Sequence, residues 1–152
     1  METTSQDYCI SILREYADIP DLEWERVSAK MKPLQLSENE FYLREGSRVN
    51  RIAFIISGVF RVYCTTKSGD DKTLAFRSSG QFIAPFPPYL EDKSCWYSIQ
   101  SIGPSEILYL DLDSVKQLLE DHHKCWDTIY VKYLTKLFIE KESRERSFLI
   151  ED

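Results

Sequence analysis

Between Gly80 and Gly103 the chain carries Phe82, Phe86, Tyr89, Trp96 and Tyr97, interrupted by Pro85, Pro87 and Pro88, with Lys93 as the only cation of the stretch. Rings at this density either line a pocket for a small aromatic or apolar ligand or fill an interior that would otherwise be empty. Other chemistry is poorly provided for. The two histidines, His122 and His123, are adjacent, and neighbouring residues on a helix diverge, so they do not chelate one ion. A solvated or helix-capping role suits them better. Cysteines at 9, 64, 95 and 125 form no Cys-x-x-Cys and no close pair, which excludes a zinc signature and a disulfide framework. They read as small buried hydrophobes in a reducing compartment. No Gly-x-Ser-x-Gly occurs, and no serine or cysteine has a base partner visible in sequence, so the chain does not read as an enzyme. No metal or other cofactor is implied.

The elements that would position the aromatic stretch are marked by glycine. All five glycines (46, 58, 69, 80 and 103) lie in the middle of the 152 residues, and the first four are 12, 11 and 11 apart. That is the strand-plus-turn interval of a β-sandwich or barrel. Pro33–Ser37, Asn39–Glu45, Arg51–Ser57, Val59–Thr66, Thr73–Arg77, Ile99–Ile102 and Glu106–Asp111 have strand character, and the count approaches the eight of a jelly roll. The flanks have helical period. Ile12, Leu13, Tyr16 and Ala17 share one face, and Leu22, Trp24, Val27 and Met31 suggest a second short helix with Pro20 in its first turn. Asp113 is placed to cap a helix over Ser114–Glu120. From about Lys124 a longer helix carries the stripe Trp126, Ile129, Tyr130, Tyr133, Leu134, Leu137 and Phe138. A stripe of seven apolar residues within thirteen positions is wider than one barrel face needs, which predicts a second partner for this helix.

Leu43-Arg44-Glu45-Gly46, the run Arg51-Ile52-Ala53-Phe54-Ile55-Ile56-Ser57-Gly58-Val59-Phe60-Arg61-Val62-Tyr63, and Gly80-Gln81-Phe82-Ile83 stand in this order of elements. Together they resemble the cyclic-nucleotide-binding domains of Crp/Fnr transcription regulators, a likeness that covers about residues 8–145. It implies a double-stranded β-helix barrel with flanking helices and a long C-terminal dimerisation helix. It also implies where a nucleotide would bind, and there the chain departs from the pattern. Where members that bind cyclic AMP have Gly-Glu for the ribose hydroxyl, this chain has Ala84-Pro85. Where they have Arg-Ser/Thr-Ala for the cyclic phosphate, it has about Cys95-Trp96-Tyr97. No arginine stands between Arg77 and Arg144 to restore the fork, and a lysine is only a point charge. The three prolines also remove backbone donors.

The resulting expectation is a mainly β protein in one structural domain, with N-terminal helices over 1–32, a β-roll over 33–112 and C-terminal helices over 113–152. It is expected to be the effector-sensing and dimerisation part of a Crp/Fnr-like regulator, or alternatively a free-standing ligand-binding or protein-interaction module. A degenerate pocket would comprise Phe82, Ala84, Pro85, Phe86, Tyr89, Cys95, Trp96 and Tyr97. A homodimer seam would comprise Trp126, Tyr130, Tyr133, Leu134 and Leu137. The effector is expected to be a small molecule other than cyclic AMP or cyclic GMP. A net charge of -6 argues against DNA binding by these residues, so DNA would be met only by a domain outside this chain. The apolar Phe148-Leu149-Ile150 falls about where the family's hinge leads to such a domain. No secretory or membrane-spanning segment is seen, which fits a cytoplasmic protein.

Overall fold

The computed structural model describes residues 4–83, 94–121 and 123–150. Helices α1 (Ser5–Leu13) and α2 (Asp21–Ser28) come first. Eight strands follow: β1 (Lys32–Leu36), β2 (Phe41–Leu43), β3 (Arg51–Ser57), β4 (Val59–Thr65), β5 (Asp71–Ser78), β6 (Phe82–Ile83), β7 (Ser98–Ser101) and β8 (Ser105–Asp111). Helices α3 (Leu112–Glu120) and α4 (Lys124–Ile150) close the chain. The strands form two four-stranded antiparallel sheets, ordered β1-β8-β3-β6 and β2-β7-β4-β5, which face each other as the two walls of the roll. The strand that turn spacing alone does not delimit is β6, only two residues long.

Alternation along the first sheet decides the layering, because successive side chains of a strand point to opposite faces. On β3, Ala53 and Ile55 enter the roll core with Leu36, Tyr42, Phe60, Ile99 and Ile107. Phe54 between them points outward, into a second core shared with Cys9, Ile10 and Leu13 of α1 and Cys125 and Ile129 of α4. Leu110 joins Val27 and Leu118 in a third cluster beneath α2 and α3. One sheet therefore serves two cores, and the helices cover its outer face. Cys9, Cys95 and Cys125 are buried within these cores as the sequence suggests, and burial pushes the Cys9 thiol up to about 12.

Helix ends differ from expectation in three places. α1 stops at Leu13, so Tyr16 and Ala17 lie beyond it, though both still pack on the second core. Its start is fixed by a reciprocal capping box, Asp7 N donating to Thr4 Oγ1 at 3.0 Å and Thr4 N to Asp7 Oδ2 at 3.2 Å. Pro20 is the extended N-cap residue of α2 rather than part of its first turn. α3 is capped by Asp111, not Asp113: the strand-end carboxylate reaches Ser114 N at 2.8 Å, and this hydrogen bond holds its pKa below the ordinary value.

Gly58 joins β3 to β4 at φ +96°, and a Cβ there would lie 2.6 Å from Ser105 Cβ and 2.9 Å from its backbone Cα. Gly69, at the β4–β5 turn with φ +89°, has nothing within 4 Å. Both substitutions to alanine meet the left-handed penalty, but only Gly58→Ala also forces two strands apart. We expect Gly69→Ala to destabilise by about 1–2 kcal/mol and Gly58→Ala by about 3 kcal/mol or more, as clash adds to conformation. Urea unfolding of the two variants measures the difference. Equal losses would refute the close-approach argument.

Candidate ligand site between the roll and the long helix

α4 lies across the end of the roll where β5 and β6 stand at the edges of the two sheets. Its first turn is held by Cys125 N donating to His123 Nδ1 at 3.1 Å, so His123 caps the helix. Trp126 Nε1 donates to Glu23 Oε1 at 2.6 Å, and Glu23 is itself paired with Arg26, which reaches Asp121 at 2.6 Å. The Arg26 bond depresses the Glu23 pKa first, and the Trp126 bond adds to it. Two turns further on, the Tyr133 hydroxyl donates to the Phe82 carbonyl at 3.1 Å. Tyr133, Phe82, Phe54 and Tyr8 stack edge to face with centroid spacings of 5.2, 5.1 and 5.7 Å. Two turns beyond that, Arg77 Nη1 on β5 meets Glu140 Oε1 at 3.1 Å.

These contacts leave a shallow groove between roll and helix, lined among others by Tyr16, Arg77, Gln81, Tyr133, Lys136 and Glu140. Arg77 is opposite Phe60 in the β4–β5 register, and Phe60 belongs to the roll core. The Arg77 side chain therefore starts on the inner face of its sheet and ends at the roll's mouth. Its charge opposes the effect of burial on Tyr97 within the roll and on Tyr133 in the helix. Sequence reading missed this residue because Arg77 precedes the aromatic stretch. The available signal was its alternation with the inward positions of β5.

The described members of the predicted pocket, Phe82, Cys95, Trp96 and Tyr97, do not share one cavity. Phe82 points away from the roll core, into the layer under the helices. Cys95 is 1% exposed inside the roll core, and Tyr97 packs against the same core. Burial raises the pKa of both groups. Trp96 is 59% exposed and meets Tyr97 edge to face at 5.3 Å. Ala84, Pro85, Phe86 and Tyr89 lie outside the described residues, as do Lys93 and His122. Among the described residues no group of histidine, cysteine and carboxylate side chains is arranged to hold a metal.

The predicted helix stripe also divides. Trp126, Ile129 and Tyr133 face the roll, and Leu137 lines the groove. A separate strip, Tyr130, Val131, Phe138 and Ile139, is left exposed, with Val131 at 61% and Phe138 at 59%. Leu134, between them, is half-buried. Trp126 and Tyr133, expected in a dimer seam, are thus engaged within the chain because their polar atoms find partners on α2 and β6.

Residues 33–122 match the family model of the cyclic nucleotide-binding domain. The chain belongs to that family. The match ends before α4, so the helix side of the groove lies outside the matched residues. No curated protein matches the chain. Among solved structures it is similar to a cyclic nucleotide-binding domain from Methylobacillus flagellatus, with TM-score 0.79 and 19% identity over 91% of this chain and 81% of that one. The sensor domain of the transcriptional regulator DNR from Pseudomonas aeruginosa follows at TM-score 0.67 and 18% identity, over 89% and 86%. Catabolite Activator Protein from Thermus thermophilus gives TM-score 0.67 and 16% identity, with 92% of this chain matching 62% of that one. This cyclic nucleotide-binding-type domain thus has the fold of Crp/Fnr regulator sensor domains. Among the described residues no helix is long and apolar enough to cross a membrane.

Tyr133 offers a check on how α4 is seated. Burial keeps its phenol neutral up to about 12, against an ordinary value of 10.0. Between those values the unfolded chain releases a proton that the fold retains, so stability is complete below pH 10 and falls as pH rises. Tyr42 and Tyr97 act in the same direction. Tyr133→Phe keeps the ring and loses the bond to Phe82, for an expected loss of about 1 kcal/mol at neutral pH. It should also reduce the alkaline slope. Thermal unfolding from pH 8 to pH 11 reads both, and an unchanged slope would place the phenol in solvent.

Proposed function

We propose that this domain is the effector-sensing and dimerisation part of a cytoplasmic, non-catalytic Crp/Fnr-like regulator, and that its nucleotide-phosphate site is degenerate. The observation that carries the reading is the environment of Cys95-Trp96-Tyr97, where the family resemblance puts the phosphate-binding arginine step. Cys95 and Tyr97 are packed on the roll core, and desolvation holds both neutral. The step itself offers a buried phosphodiester no charged partner, and nearby Arg77 is tied to Glu140, so leaving the phosphate unpaired costs several kcal/mol. Loss of about 4 kcal/mol moves a micromolar ligand to roughly millimolar. Titration calorimetry with cyclic AMP and cyclic GMP is therefore expected to give dissociation constants weaker than about ten micromolar for both. Tighter binding by either would overturn the degenerate-site reading.

Pairing through α4 is part of the same proposal. The exposed Val131 and Phe138, with Leu134 between them, follow the three-and-four spacing of a two-helix seam. Phe148 and Leu149 continue the apolar surface at the helix end. The seam is therefore centred on Tyr130, Val131, Leu134 and Phe138, one strip round from Tyr133. Sedimentation velocity at tens of micromolar is expected to show a dimer for the wild type and a monomer for Phe138→Glu, with unchanged circular dichroism. A monomeric wild type would refute the dimer. DNA contact is assigned to a separate domain, since the net charge of -6 opposes phosphate binding here.

A further inference from the structure

We propose that the groove between β5 and α4 is a carboxylate-binding site, in which Arg77 anchors a small anionic effector and Glu140 is the internal carboxylate that the effector displaces. The inference rests on the sensing role proposed above and names the chemical class of ligand for it.

Charge in the groove is the first argument. Arg77 and Lys136 both line it, and Arg144 adds a third cation at 3.2 Å from Glu140 Oε1. Glu140 is the carboxylate that lines the groove with them. Among the described residues Lys136 pairs with no carboxylate: its Nζ lies 3.4 Å from Tyr16 Oη and 6.0 Å from that ring's centroid. Among the described residues the site thus has positive charge beyond what Glu140 neutralises.

Geometry is the second argument. A guanidinium binds a carboxylate best through two parallel N–H···O bonds. Among the described residues the hydrogen bonds of Arg77 leave from Nη1, to Glu140 Oε1 at 3.1 Å and to its own neighbour's carbonyl, Phe76 O, at 3.2 Å. The same Glu140 oxygen is also taken by Arg144. Glu140 therefore holds Arg77 by one shared oxygen, on a side chain 39% exposed, while the Arg77 side chain is only 17% exposed. A sheltered cation whose one carboxylate partner among the described residues is itself shared is poised for exchange. An incoming carboxylate that takes both arms of the fork outcompetes Glu140 and returns it to Arg144.

The walls set the body of the ligand. Tyr133, Tyr16 and Leu137 flank the charged pair around about 10 Å³ of free space, so the body of a ligand lies over these side chains on the open side of the groove. A carboxylate on a small aromatic or apolar body satisfies both halves. Its binding would release the Arg77–Glu140 tie between roll and helix, which couples occupancy to the seating of α4.

Benzoate, with benzamide as its uncharged isostere, is a suitable probe, titrated by calorimetry into the 152-residue chain. Benzoate is expected to bind, and benzamide to bind at least about tenfold more weakly. Because Glu140 occupies Arg77 in competition with the probe, Glu140→Gln should tighten benzoate by about tenfold. Arg77→Gln should abolish binding, and Arg77→Lys should restore it only in part. Lys136→Gln should weaken it and covers the case in which Arg77→Gln does not fold. Equal affinities for benzoate and benzamide, unchanged affinity in Glu140→Gln, or no heat from Glu140→Gln at about 50 mM benzoate would overturn the carboxylate site. These outcomes are separate from those of the cyclic-nucleotide titrations. Stabilisation by uncharged compounds alone would leave a sensing domain with a different ligand.

Discussion

Phe54 stands on β3 with its ring turned out of the roll, 1% exposed, between Tyr8 on one side and Phe82 on the other. Its neighbours Ala53 and Ile55 point the opposite way, into the roll. The obligatory alternation of a strand thus forces one short segment to supply two cores, and the helices are arranged around what it presents outward. α1 covers Phe54 from one side, and α4 approaches it through Phe82 and Tyr133. The hydroxyl of Tyr133 then finds a carbonyl on β6, a strand too short to hold position by its own ladder. Helix position and edge-strand position are therefore settled together, and the groove containing Arg77 lies where they meet.

Much of this was legible in the sequence. Glycines that need positive φ sit at fixed intervals, and the runs between them alternate, so the strands and their turns could be read directly. Boundaries were less accessible. Asp113 and Asp111 are both plausible caps by type, and only the way β8 ends chooses between them. Tyr16 and Ala17 continue the period of α1, yet the chain leaves the helix at Arg14 and buries them by another route.

The site was harder to read, for a definite reason. A list of aromatic residues does not say which side of a two-residue strand each ring takes. Phe82 and Ile83 are consecutive and belong to different cores. The long helix posed the same difficulty, since its apolar residues wrap around more than one face. By sequence Trp126 and Tyr133 are indistinguishable from Tyr130 and Leu134; Glu23 and the Phe82 carbonyl, as their partners, set them apart. Arg77 was overlooked because its importance comes from a residue 63 positions away.

The pairing of β1 with β8 also bears on how the chain matures during synthesis. Lys32 lies opposite Tyr109, so the roll cannot close until the ribosome has released nearly the whole of β8. Contacts that span most of a domain form slowly, and the segments awaiting them expose apolar strand edges meanwhile. Among the described elements α4 emerges last, after the strands that carry its seat on Phe54 and Phe82. It therefore has no part in nucleating the roll and docks on a finished surface. A nascent chain whose α4 is still inside the ribosomal tunnel can already hold both sheets, leaving the patch around Cys9 and Phe54 open to chaperones or to another chain.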